Sequence, residues 1–130
     1  MTFLQRSAEC QLRNQPKYSI FRNTSYALKG LNDLVRTESS FRLELLTAAV
    51  LFPVIIFIDT TYIHKALMFM SLMGMLIAEA VNSAIERTVD LVTLEHHHMA
   101  GRAKDAGSAI VFLSIVMFAL TWTIILTDIL

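Results

Sequence analysis

Apolar residues fall into three long runs separated by short polar segments. The runs cover about residues 43–58, 62–81 and 106–127, and the second continues in a helical pattern to about residue 92. A bilayer core of roughly 30 Å requires about 20 mostly apolar residues in a helix, so each run predicts a transmembrane helix. The first run is slightly short and contains Pro53, which is expected to bend it. The first two runs are joined by a short connection, which predicts an antiparallel pair.

A different pattern precedes the first run. In residues 17–40 the apolar side chains recur at helical spacing, and most charged side chains fall elsewhere around the helix. This pattern is typical of a helix that lies in the membrane surface, although packing on a protein partner is an alternative. Residues 1–16 are interpreted as an N-terminal extension without a signal-peptide core. We therefore predict one all-α membrane domain over residues 1–130, with a surface helix at 17–40 and three transmembrane helices within 43–127.

Composition and charge narrow the possible functions. Hydrophobic residues make up 55% of the 130 residues, which is high for a soluble domain of this size. The 11 basic and 11 acidic residues balance, so no nucleic-acid partner is expected, and the single cysteine, Cys10, excludes an intrachain disulfide. Basic residues concentrate before the first run and between the second and third. The positive-inside rule then predicts a multi-pass protein with a cytoplasmic N-terminus and a C-terminus on the opposite side.

The second apolar run ends in a set of polar residues on one helix face. At about 100° per residue, the polar stripe of Glu79, Asn82, Glu86 and Asp90 falls within an arc of roughly 80°. Carboxylates that face lipid are unfavourable, so the stripe should face helices, water or a cation. An amide can join helices, but three acids repel each other, and Arg87 is the one cation nearby. The residues alone leave open a metal or phosphate site, helix packing and ion conduction.

Further candidates lie at the same predicted cytoplasmic end. Glu38 and Glu44 occur where the surface helix meets the first run, and Lys104 and Asp105 occur where the third run begins. The segment EHHHM at residues 95–99 is a poor zinc site, because adjacent histidines point in different directions on a helix. We interpret it as a solvated loop with a nucleotide contact. Neither of the common glycine-rich phosphate loops, GxxxxGK[ST] and GxGxxG, occurs in the sequence.

Two segments, EAVNSAIERTVDLV and GRAKDAGSAIVFL, together resemble the signature of the prokaryotic diacylglycerol kinase family, which are small integral-membrane lipid kinases. The upstream segment YALKGLNDLVRTESSFRLE is similar to the surface helix and first acidic pair of that family. The likeness extends over about residues 17–127. It implies a homotrimer with shared active sites in the bacterial inner membrane. It also implies transfer of the γ-phosphate of ATP to a lipid hydroxyl at the cytoplasmic interface.

The resemblance implies roles for individual residues. Glu79 matches the proposed general base, and Glu38 and Glu86 match the ligands of the divalent metal, expected to be Mg²⁺. The residues expected at the ATP site are Tyr26, Lys29, Glu38, Asn82, Glu86, His96, His97, Lys104 and Asp105. Those expected to bind the lipid substrate are Glu79, Asn82, Arg102 and Ser108, with Glu44 and Asp90 as supporting residues. Two positions depart from the pattern: His96 stands where an aromatic residue is expected, and Thr88 replaces a usually apolar residue.

Phosphoryl transfer explains why acids would end an apolar helix. The reaction requires positioning and charge neutralisation more than covalent catalysis, so carboxylates belong where a lipid hydroxyl from the bilayer meets ATP from the cytosol. The resemblance implies that diacylglycerol is phosphorylated to phosphatidic acid. An undecaprenol kinase shares the motif and differs in its lipid acceptor. A third possibility, of another class, is a small oligomeric channel or scaffold whose polar stripe lines a pore.

Overall fold

The computed structural model describes residues 19–129, which form four α-helices. These are α1 (Ile20–Thr37), α2 (Ser39–Phe57), α3 (Tyr62–Val92) and α4 (His98–Ile129). Residues 19–129 contain no β-strand, which confirms the all-α prediction. The interpretation of residues 1–16 as an extension falls outside the described residues, as does the predicted start of the surface helix at residue 17.

Three of the helices, α2, α3 and α4, are long and apolar enough to cross a membrane, which confirms the three predicted spans. Helix α3 has the predicted limits, whereas α4 begins at His98 rather than near residue 106. The hydropathy pattern marks where the apolar run begins, and helix propensity extends the helix through the polar residues before it. At 1.5 Å per residue, α3 is about 46 Å long, so one end extends well beyond a bilayer core of roughly 30 Å.

The joint between α1 and α2, residues 33–42, contains a break that periodicity did not predict. The surface helix was expected to run to residue 40, but Glu38 adopts an extended conformation, with φ −102° and ψ 114°, and divides it from α2. The Nη1 atom of Arg42 donates hydrogen bonds of 3.2 Å to the carbonyl oxygens of Val35 and Arg36. These carbonyls belong to the last turn of α1, where the helix supplies no partners of its own. The contacts of Arg42 therefore stabilise the end of α1.

The apolar core lies where the N-terminal half of α3 packs between α2 and the C-terminal half of α4. It consists of the buried side chains of Ile55, Met68, Leu72, Trp122 and Ile125. Helix α3 packs more extensively on α4 than on α2. The most apolar window of α3 is 44% buried, against 17% for those of α2 and α4, so α3 is the central helix. Helix α2 continues through Pro53 and ends four residues later, at Phe57.

The chain divides into two compact units, and the division follows Leu31 within α1. In the first unit, the apolar side chains of Ile20, Phe21 and Leu28 are exposed. Such exposure suits an amphipathic helix in a membrane surface, and that location remains a prediction. The second unit begins at Asn32 and contains the joint and all three membrane spans.

We predict that Met68→Ala destabilises the protein, whereas Met70→Ala in the same helix does so much less. Met68 is 0% exposed and Met70 is 65% exposed. Truncation of a fully buried methionine leaves a cavity and costs about 2–5 kcal/mol. Thermal unfolding of both variants in one detergent measures the difference. Equal loss in the two variants would contradict this assignment of the core.

Candidate active site

The polar stripe becomes progressively more buried along α3 towards the apolar core. Glu79 and Asn82 are only 6% and 9% exposed, Glu86 is half-buried, and Asp90 is exposed. The Nδ2 atom of Asn82 donates a hydrogen bond of 3.1 Å to Oε1 of Glu86, one helical turn away. The stripe thus turns inward at its apolar end, so its deeper members face other helices rather than lipid, as the cost of an unpaired carboxylate requires.

The carboxylates of three other acids interact with that of Glu79 at the buried end of the stripe. Those of Glu38, Glu44 and Glu86 lie close enough to that of Glu79 for their charges to repel it. Two side-chain oxygens at this end of the stripe, Oε2 of Glu44 and Oδ1 of Asn82, are buried with no hydrogen-bond partner in the described part of the chain. An unsatisfied buried polar group costs about 1–3 kcal/mol. A cation or a hydrogen-bond donor placed here would therefore be bound favourably.

Arg87 belongs to this site, although sequence patterns gave it no role. Its Nη2 atom donates hydrogen bonds to Oγ1 of Thr37 at 2.7 Å and to Oε1 of Glu38 at 2.8 Å. Its Nη1 atom pairs with the carboxylate of Asp33. Arg87 therefore ties the α1–α2 joint to α3. In the sequence, this role was indicated only by the position of Arg87 as a lone cation among the acids of α3. Its partners could not be identified from the pattern of α3, because they lie about 50 residues earlier.

Lys104 and Asp90 form an ion pair between α3 and α4, with Nζ 2.6 Å from Oδ1. Both side chains are partly exposed, and an ion pair in such surroundings contributes only about 0–1 kcal/mol. Lys104 can therefore exchange its partner for a phosphate at little cost. The structure brings these two predicted site residues together, at the end of the stripe farthest from the core.

A pocket of about 300 Å³ lies beside this ion pair, at the connection between α3 and α4. Its lining includes Asp90, His96, His97 and Lys104, so three of the residues predicted for the ATP site share one cavity. The Nδ1 atom of His97 accepts a hydrogen bond of 3.2 Å from the backbone N–H of Met99, in the first turn of α4. Across residues 19–129, no three His, Cys, Asp or Glu side chains group as metal ligands.

Among residues 32–129, no hydrogen bond or ion pair joins the other predicted site residues of α4 to the stripe. Asp105 and Ser108 lie exposed on α4, and Nη1 of Arg102 is 3.9 Å from the sulfur of Met99. Tyr26 and Lys29 belong to the first compact unit, where Nζ of Lys29 lies 6.0 Å from the centre of the Tyr26 ring. Their roles remain predictions.

Gly107 on α4 provides the space in which the Asn82 side chain lies. A Cβ atom at this position would be 2.4 Å from Oδ1 of Asn82 and 3.6 Å from Cδ1 of Ile85. No real Cβ approaches an oxygen so closely, so Asn82 can occupy this place only because residue 107 is glycine. The same amide donates its Nδ2 hydrogen bond to Glu86 within α3.

Comparison with known proteins identifies the family. A family model described as prokaryotic diacylglycerol kinase matches residues 25–126, which include every part of the site described above. The chain belongs to the prokaryotic diacylglycerol kinase family. The resemblance seen in the sequence is thereby confirmed. Membership in this family makes the chain a membrane-bound kinase with a lipid substrate and a nucleotide.

Individual members of the prokaryotic diacylglycerol kinase family are similar over most of their length. The diacylglycerol kinase of Haemophilus influenzae is 37% identical over 79% of this chain and 87% of its own. That of Pseudomonas aeruginosa is 41% identical over 82% and 87%, respectively. The undecaprenol kinase of Bacillus subtilis is 33% identical over 70% of this chain and 74% of its own. The family thus includes proteins named for two different lipid acceptors.

We predict that Gly107→Ala lowers kinase activity by about 100-fold, the loss typical of a misplaced group in an active site. The new methyl group would displace Asn82 and break its hydrogen bond to Glu86. Gly74→Ala is the matched control, because its Cβ would meet only the flexible terminal methyl of Met117, at 3.0 Å. Activity and thermal stability are compared for the two variants. Equal activities would show that the packing of Asn82 on Gly107 has no role in the site.

Proposed function

We propose that this protein transfers the γ-phosphate of ATP to the hydroxyl group of diacylglycerol, forming phosphatidic acid. The observation that carries this proposal is the buried carboxylate of Glu79 beside other acids, at the inner end of a stripe that leads to the pocket of His97 and Lys104. A lipid from the bilayer and a nucleotide from water would approach this stripe from opposite ends. Family membership supports the same reaction class.

Glu79 is proposed as the general base. It is the most deeply buried acid of the stripe, and therefore the one closest to where a lipid hydroxyl would arrive. Its carboxylate would accept the hydroxyl proton as the hydroxyl oxygen attacks the γ-phosphorus, while the bond from that phosphorus to the β–γ bridging oxygen breaks and ADP leaves. Asn82 and Lys104 would bind phosphate oxygens, with Lys104 leaving Asp90 to do so. General-base catalysis of this kind contributes typically about 10²–10⁴-fold to the rate.

Glu38 and Glu86 are proposed to hold Mg²⁺, and the donor set fits this ion. Each has its Oε1 atom engaged, by Arg87 and Asn82 respectively, and within residues 19–129 neither Oε2 atom forms a hydrogen bond. Mg²⁺ prefers oxygen ligands and needs only one or two carboxylates besides water and substrate phosphates. When bound, the ion would neutralise negative charge on the phosphates. The two glutamates would thereby orient the nucleotide next to Glu79.

The oligomeric state of the protein and its orientation in the membrane are part of the same proposal. We propose a homotrimer in the bacterial inner membrane, with the N-terminus and the acidic site on the cytoplasmic side. Large apolar side chains of α2 and α4 remain exposed in the single chain, which suits contact with lipid and with further chains. Arg102 and Ser108 are exposed on α4 and would act in the site of a neighbouring chain. This sharing of sites would explain why one chain does not bring them to its own stripe.

We predict that the purified protein transfers labelled phosphate from ATP to diacylglycerol faster than to undecaprenol in the same detergent micelles. Glu79→Gln should abolish turnover through loss of the base while ATP binding survives. Asp128→Asn is the matched control, because Asp128 is an exposed acid at the opposite end of α4. Faster transfer to undecaprenol would favour the alternative acceptor. Retention of more than about a tenth of activity by Glu79→Gln would exclude the base role.

We predict that a magnesium titration distinguishes variants that lose a metal ligand from a variant that loses a phosphate contact. Glu38→Gln and Glu86→Gln each remove a negative oxygen ligand, so each should raise the Mg²⁺ concentration needed for half activity. Lys104→Met should weaken ATP use, and excess Mg²⁺ should not restore it, because Lys104 binds phosphate. The same response of all three variants to added Mg²⁺ would show that this division of roles is wrong.

A further inference from the structure

One guanidinium group connects three helices at the edge of the acidic cluster. Arg87 of α3 contacts Asp33 and Thr37 in the last turns of α1, and Glu38 at the break before α2. Arg42 binds the same joint from α2, through the carbonyl oxygens at the end of α1. Two arginine side chains therefore contact this joint, Arg42 at the carbonyl oxygens that end α1 and Arg87 at the side chain of Glu38.

We propose that Arg87 is a positioning residue that fixes the carboxylate of Glu38 beside Glu86 and Glu79, so that Glu38 can bind the metal of the nucleotide. This inference rests on the proposed function. Arg87 engages Oε1 of Glu38, and Oε2 forms no hydrogen bond within the described residues, which leaves that oxygen for a metal ion. The guanidinium thus orients the ligand without occupying the atom that would coordinate.

The chemistry of arginine suits this role better than that of lysine. A guanidinium offers five N–H donors in a rigid plane, so it can bind several acceptors at fixed angles. Arg87 uses two nitrogens for three partners, two in the last turns of α1 and the third at the helix break itself. A lysine ammonium is a point charge on a flexible stem and would hold Glu38 less firmly. The residue type therefore indicates orientation rather than simple charge balance.

The partial exposure of these side chains indicates that the contacts of Arg87 orient the joint more than they stabilise the fold. The side chains of Arg87 and Asp33 are 45% and 50% exposed, and that of Glu38 is 29% exposed. Ion pairs with this exposure contribute little to folding. In contrast, loss of a group that orients a metal ligand typically reduces metal affinity or activity by about 10–100-fold. Arg87 variants should consequently remain folded while their metal affinity falls.

Electrostatic repulsion alone predicts the opposite change in metal affinity when Arg87 is removed, which makes the inference testable. A fixed cation near a metal site disfavours a second cation, so removal of Arg87 would strengthen metal binding if charge alone mattered. For a divalent ion at a distance of about 6 Å in water-like surroundings, such repulsion changes an affinity by about tenfold. The loss of about 10–100-fold that follows removal of a group orienting a metal ligand already includes such opposing effects. We therefore expect weaker metal binding when Arg87 is removed.

The experiment measures Mn²⁺ binding by electron paramagnetic resonance in detergent, with a non-hydrolysable ATP analogue present. Mn²⁺ is the probe because it accepts the same oxygen ligands as Mg²⁺. Arg87→Ala should raise the Mn²⁺ dissociation constant by about 10–100-fold, and Arg87→Lys by less. Arg36→Ala is the matched control, because Arg36 is exposed in the same joint and its side chain makes no hydrogen bond or ion pair within residues 19–129.

A second background tests whether Arg87 acts through Glu38. If it does, Arg87→Ala causes no further loss of Mn²⁺ affinity when added to Glu38→Gln. Thermal unfolding of every variant confirms that the fold is retained, and Arg87→Lys keeps the test available if Arg87→Ala is unstable. Unchanged or tighter Mn²⁺ binding in the Arg87 variants, or the same loss in the Glu38→Gln background, would overturn the inference.

The proposed function fails separately. If the wild-type protein transfers no phosphate to lipid but Arg87→Ala weakens Mn²⁺ binding through Glu38, Arg87 remains a positioning residue and only the reaction is wrong. If lipid phosphorylation is found but Mn²⁺ affinity is the same with and without Arg87, the reaction stands and Arg87 has no positioning role.

Discussion

The electrostatic cost of placing carboxylates at the end of an apolar helix constrains the structure of this protein. Glu79 is almost fully buried, and three other carboxylates lie near enough to repel it. Such a cluster is stable only where helices shield it from lipid and cations or hydrogen-bond donors approach it. The length of α3, the close packing of α4 at Gly107 and the contacts of Arg87 all meet this requirement at one end of the membrane spans.

The two ends of α3 consequently have different physical characters. Near its N-terminus, Met68 and Leu72 pack with Trp122 and Ile125 of α4 in a core without charged groups. Near its C-terminus, polar side chains from three helices meet, and several remain partly exposed. Close packing at the first end holds the helices in register, and this register places the acids and the opposing α4 residues at the second end. Stability and chemistry are therefore separated along one helix.

The α1–α2 joint connects the surface helix to the proposed chemistry. Glu38 lies in an extended residue between two helices, a place where an unrestrained side chain would be mobile. Arg42 satisfies the end of α1, and Arg87 binds the side chains around the break. Through these contacts, a displacement of α1 at the joint would move a proposed metal ligand. The polar contacts of the joint thus link the position of the end of α1 to the geometry of the proposed metal site.

The sequence by itself determined the features that depend on local pattern. Hydropathy predicted three spans, helical periodicity placed Glu79, Asn82 and Glu86 on one face, and the combined motif identified the family. Only the tertiary structure decided the break at Glu38, the partners of Arg87 and the close approach of Asn82 to Gly107. The contacts of Gly107 and Arg87 join residues that are 25 to about 50 positions apart. The periodicity of one helix does not indicate which face of another helix will pack against it.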